Sequence, residues 1–223
     1  GADDTVYVLG DMIDRGPDPV GVLRLVRGLP GARVLMGNHE RMMLDTLLSD
    51  ASAEDTLIWE MNGGTTTATG LDVLPREEYL ELIDWIANLP LAFADTVAGR
   101  TYLFSHAGFD ARRFRVELER ELGNEHIRLD ATPAYGDVDA SVFERVLRAR
   151  DPEDLLWIRD RFWSRPTGLV APDGTGPIAI AGHTPSVLLQ RYARLMVGAG
   201  YDEAGRGLMV EVGPTYDTGG VAD

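Results

Sequence analysis

The sequence predicts an α/β fold, with helices layered around a central sheet, or sheets, and functional loops at the carboxyl ends of the strands. Two observations lead there. Short apolar, β-branched runs alternate with segments of helical spacing through the first third of the chain. Four of the apolar runs also end alike, in a small residue followed by side chains that can hold a metal or a phosphate. They are VLGDMIDRG, VLMGNHE, LFSHAG and IAIAGHT, and three of the chain's four histidines, His39, His106 and His183, lie in them.

Taken in order, TVYVLG is a buried strand ending at Gly10. PDPVGVLRLVRGLP places Val20, Leu23, Val26 and Leu29 on one helical face between Pro19 and Pro30. ARVLMG is a second strand and HERMMLDTLL a second helix. WEMNGGTTTATG reads as a polar, glycine-rich loop without regular structure. REEYLELIDWIANLP is an amphipathic helix, with Tyr79, Leu82, Ile83, Ile86 and Leu89 on its apolar side. LAFADTVAGRTYLFSHAG is two strands about a turn at Ala98-Gly99. Residues 109–150 are rich in charge and read as an insertion with a helix near 141–149, a candidate wall for a substrate pocket. DPEDLLWIRDRFW opens a short helix at Asp151-Pro152, PIAIAGHTP is a further strand, and LMVEVG is expected to form the last one. Without repeats or low-complexity linkers, residues 1–223 are read as a single domain.

Composition narrows the function. At 44% hydrophobic and 26% charged over 223 residues, the chain has an ordinary globular balance. No apolar run has the length of a membrane span, and the first residues show no signal pattern, so no membrane partner and a cytoplasmic location are expected. A net charge of −15 argues against a nucleic-acid surface, which needs a basic stripe. The absence of cysteine excludes disulfides and thiolate metal sites. Every one of the 21 basic residues is arginine, so a basic side chain that grips phosphate here is a planar, bidentate donor.

Singly, a histidine after a strand, an asparagine in a turn or an aspartate before a helix reads as local structure. Four strand ends in succession carrying such residues do not. Asp11, Asn38, His106 and His183 form an oxygen and nitrogen ligand set, suited to Mn²⁺, Fe²⁺ or Zn²⁺ more than to an all-oxygen Mg²⁺ or Ca²⁺ site. With Arg15 close in sequence, that set suggests phosphate-ester chemistry.

GDMIDRG, GNHE, SHAG and GHT, in this order, resemble the phosphoprotein phosphatase (PPP) branch of the metallophosphoesterases. NGGTTT and LLWIRDRF resemble segments of its bacterial serine/threonine protein phosphatases, and the likeness runs from Thr5 to about Pro185. It implies a calcineurin-like β-sandwich of two mixed sheets flanked by helices, with its metal site at the strands' carboxyl ends. It implies two divalent metal ions, Mn²⁺ first, with iron or zinc as alternatives. Asp11 would bridge them, and Asn38, His106 and His183 would complete the second. Arg15 and Arg159 would bind the phosphate oxygens, with Arg161 as the alternative for the latter role. His39 would protonate the leaving oxygen, oriented and kept charged by Asp14, while a metal-bound hydroxide attacks phosphorus in line.

The implied substrate is a phosphorylated protein or a small phosphoester, and the intact DRG together with the glutamate of GNHE, Glu40, favours the protein phosphatase side. Symmetrical dinucleoside polyphosphate hydrolysis is the enzyme alternative. The family also opens with an Asp-x-His strand end that does not occur here, and no apolar strand follows Asp217-Thr218-Gly219. The expectation is a domain without its first and closing strands, part of a longer chain. A non-catalytic metal-binding relative is the other reading of that absence. Oligomeric state leaves no mark on the sequence.

Overall fold

The computed structural model describes residues 4–47, 51–124, 135–164, 166–171 and 174–185. The chain falls into two compact units, one ending at Pro90 and the other beginning at Leu91. The fold is α/β with two sheets, as expected, and each sheet belongs to one unit.

In the first unit, β1 (Tyr7–Val8) pairs in parallel with β2 (Arg33–Val34). The ladder is short and is extended by the bonds Arg33 N–H to Val6 O and Leu35 N–H to Val8 O, both 2.9 Å. The connection between the strands is α1 (Pro19–Gly28), a crossover of the kind parallel strands require. Asp18 caps it by accepting the Gly21 N–H, and Pro19 takes the first helical position, where its missing N–H costs nothing. After β2 come α2 (Asn38–Leu47), α3 (Ala53–Met61), α4 (Thr65–Asp72) and α5 (Arg76–Ala87). α2 packs on α3 and α5, and α1 on α4, around Leu23, Leu35, Met43, Leu82 and Ile86.

Two of these helices overturn the loop expected over WEMNGGTTTATG. α3 is nucleated ahead of that stretch by a capping box, in which Ser52 accepts the Asp55 N–H and Asp55 accepts the Ser52 N–H. Only Asn62 to Gly64 separate α3 from α4.

In the second unit, β3 (Ala92–Val97) and β4 (Arg100–Ser105) form an antiparallel hairpin, and β5 (Ile178–Ile180) joins β4 in parallel. Ala98 and Gly99 both have positive φ, the twist that a two-residue hairpin turn needs. The described residues of 109–150 do not stand apart as an insertion, and the helix expected near 141–149 is present. α6 (Ala111–Glu121) and α7 (Ala140–Arg148) lie there, with α7 packed on β3 and β4 and on α6. Phe114, Leu118, Phe143 and Leu147 are fully buried in the core these elements share with Leu103 and Leu155. α6 hides in its composition: its mean character is polar, but Phe114 and Leu118 recur at helical spacing after the cap at Asp110. α8 (Pro152–Trp157) begins at Asp151-Pro152 as predicted, and α9 (Asp160–Trp163) follows it. The strand expected at LMVEVG and the segment Asp217-Thr218-Gly219 lie outside the described residues. No helix among the described residues is long and apolar enough to cross a membrane.

Candidate active site

Each predicted ligand follows the carboxyl end of a strand. Asp11 comes after β1, Asn38 opens α2 after β2, His106 follows β4 directly, and His183 comes after β5. Backbone strain gathers at the same places. Among the described residues, the non-glycine positions with positive φ are Asp11 (53°), Asp14 (71°), Arg15 (58°), His183 (62°) and the turn residue Ala98 (50°). Conformations of this kind cost about 1–3 kcal/mol each and persist where their surroundings enforce them, often at functional sites.

The first unit brings together Asp11, Asp14, Arg15, Asn38 and His39. Gly10, at φ 93°, and Gly37 lie back to back, so a Cβ on Gly10 would run into the Gly37 backbone. That approach sets the GDMIDRG turn against the start of α2. The His39 N–H donates to Asp11 Oδ1 at 3.2 Å. His39 Nδ1 lies 2.6 Å from Asp14 Oδ2, with both residues buried. Burial works against a charged imidazole there. The bond to Asp14, with the charges of Asp11 and Asp14, outweighs it and raises the His39 pKa above its ordinary value. Arg15 is exposed, with Nε donating to Asn62 O at 3.0 Å and its backbone N–H to Gly63 O at 3.1 Å.

Glu40 has a structural task that sequence reading did not assign. Its carboxylate accepts the N–H groups of Asp11 (2.8 Å), Met12 (2.6 Å) and Gly37 (2.8 Å), tying both strand-end loops to α2. The side chain has no exposure. Burial pushes its carboxyl up to about 7, the nearby Asp11 charge adds to the push, and the three N–H bonds oppose it.

The second unit brings together His106, His183 and Arg159. His106 Nε2 and His183 Nδ1 are 3.2 Å apart. His106 is buried, and its carbonyl accepts the Gly182 N–H at 2.7 Å, which sets the β4 end beside the β5 end. Arg159 Nε donates to His183 Nε2 at 3.1 Å, and the Trp157 ring meets His183 edge-on. Arg161 is engaged elsewhere, on Asp154 at 2.7 Å and Asp110 at 3.4 Å.

The calcineurin-like phosphoesterase family model matches residues 1–210. The chain belongs to this family. Calcineurin-like phosphoesterases are hydrolases that typically bind divalent metals, and the histidine pair suits one. Two imidazole nitrogens at 3.2 Å can share an ion with bonds of about 2.0–2.1 Å.

Among curated relatives of this calcineurin-like domain is a symmetrical bis(5'-nucleosyl)-tetraphosphatase of Paracidovorax citrulli. It is 37% identical over 108 residues, covering 47% of this chain and 34% of that protein. The protein of the same name in Erwinia tasmaniensis is 29% identical over 147 residues, covering 62% of this chain and 48% of that protein. Serine/threonine-protein phosphatase 1 of Salmonella typhimurium is 33% identical over 121 residues, covering 53% of this chain and 52% of that protein. The matches thus span a third to a half of these relatives' lengths.

Proposed function

We propose that this protein is a metal-dependent phosphomonoester hydrolase acting on phosphoserine or phosphothreonine in proteins. The observation that supports it best is the buried His39–Asp14 pair, with Nδ1 held 2.6 Å from the carboxylate. That bond occupies Nδ1 and leaves Nε2 as the nitrogen that can give a proton to a leaving oxygen. A serine or threonine alkoxide is a strong base and needs that proton. A nucleoside diphosphate departs as a weak base and needs it far less.

Two divalent ions would bind, Mn²⁺ by preference, with iron or zinc fitting the same donors; Asp11 would serve both, while Asn38, His106 and His183 would be ligands of the second alone. When bound, the ions would activate water and neutralise charge on the phosphate. Arg15 and Arg159 would bind its outer oxygens as planar donors. Arg161, already paired with two acids, is the weaker candidate for that role.

Hydrolysis of symmetrical dinucleoside polyphosphates is the second reading, supported by the names of the Paracidovorax and Erwinia relatives. The deciding assay compares a phosphothreonine peptide with diadenosine tetraphosphate under the same Mn²⁺ loading. A higher kcat/KM on the peptide is expected, and the reverse order would establish the second reading. His39→Asn should lower peptide turnover by ~10²–10⁴-fold while Mn²⁺ binding persists. Unchanged turnover would remove the general-acid role.

A further inference from the structure

Asp14 is held by more than His39. Thr67 Oγ1 donates to Asp14 Oδ1 at 2.6 Å, and the same hydroxyl oxygen accepts the Asp14 N–H at 2.9 Å. Trp59 Nε1 reaches both carboxylate oxygens, 3.2 Å from Oδ1 and 3.1 Å from Oδ2. These groups are out of water, with Asp14 7% exposed, Trp59 3% and Thr67 0%. Donors from three helices, His39 on α2, Trp59 on α3 and Thr67 on α4, therefore converge on one carboxylate. Space is cleared for the arrangement too, because a Cβ on Gly64 would strike the Trp59 indole. The segment NGGTTT, where the sequence predicts a loop, supplies both the small residue and one of the donors.

Packing alone does not call for this set of contacts. A tryptophan and a threonine serving only as core need not aim both of their polar atoms at the same carboxylate. A hydroxyl that bonds both the backbone and the side chain of Asp14 also fixes a residue held at positive φ.

We propose that Trp59 and Thr67 are positioning residues for proton transfer: they lock the Asp14 carboxylate, which in turn holds the His39 ring in one orientation and tautomer. The inference rests on reading His39 as the general acid. Its consequence is selective. Loosening Asp14 slows reactions in proportion to how much the leaving group needs a proton.

The test uses the full chain loaded with Mn²⁺ and two probes, phenyl phosphate, a poor leaving group, and 2,4-dinitrophenyl phosphate, a good one. Thr67→Val and Trp59→Phe should each lower kcat on phenyl phosphate about tenfold or more, within the range general acid catalysis supplies. The dinitrophenyl ester should change less than about twofold, because its leaving group needs little protonation. Thr67→Ser, which keeps the hydroxyl, should restore phenyl phosphate turnover. In a His39→Asn background the same substitutions should cost nothing further, since residues acting as one unit are not additive. Equal losses on both esters, or the full loss repeated without His39, would overturn the positioning role. If His39→Asn itself leaves phenyl phosphate turnover intact, the general-acid reading fails on its own, which separates the two failures.

Discussion

Glu40 carries three N–H donors from two loops on one carboxylate, so its loss exposes a cost that its neighbours cannot absorb. Each buried donor left without an acceptor costs about 1–3 kcal/mol. Glu40→Ala should therefore lower the urea midpoint strongly, and Glu40→Gln, which keeps one acceptor oxygen, should fall between it and the parent. An alanine variant as stable as the parent would mean that the clamp carries no weight. Tyr135 supplies a second residue-scale test, through pH. Its buried phenol donates to Glu119; burial first, and then that bond, push its pKa up to about 12 from 10. A pKa raised in the fold adds stability that is fully present below pH 10 and is lost as pH rises through about 12. A profile of melting temperature against pH should show that alkaline loss in the parent and lack it in Tyr135→Phe.

At the scale of elements, α3 and α4 matter most because they deliver Trp59 and Thr67 to Asp14. α3 is nine residues long, and a helix so short relies on its ends and on packing. Ser52 caps it at the solvent edge, so Ser52→Ala should cost about 0.5–2 kcal/mol of stability by urea denaturation. Local composition conceals both helices. The run of glycine and threonine has weak helix propensity, and the cap that starts α3 lies seven positions before Trp59. The elements with strong local signals were legible: α1 from its apolar spacing between Pro19 and Pro30, α8 from Asp151-Pro152, the β3–β4 turn from Ala98-Gly99, and α5 from its apolar face.

At the scale of the molecule, each unit has its own buried centre, and in the second it is aromatic. Phe109, Phe114, Phe143, Phe162 and Trp163 lie in one cluster with Leu103 and Leu155. Phe143 is fully buried on α7, the helix that covers β3 and β4. Phe143→Ala should destabilise the protein by about 3–5 kcal/mol, the range for truncating a buried aromatic ring. Calorimetry would read it as a lowered or lost transition.

The family, and the strand ends that the candidate ligands follow, can be read in the amino-acid sequence alone. A strand, a small residue and a ligand are covalent neighbours, so their order survives in one dimension, as with Gly10-Asp11 and Ser105-His106. What surrounds those residues was decided only by tertiary structure. Thr67 is 53 positions from Asp14, Trp59 is 45 and Glu40 is 28 from Met12, and Arg159 rather than Arg161 meets His183 across 24. Those partners are chosen by which buried polar groups must satisfy one another once helices pack, and no local spacing encodes that choice.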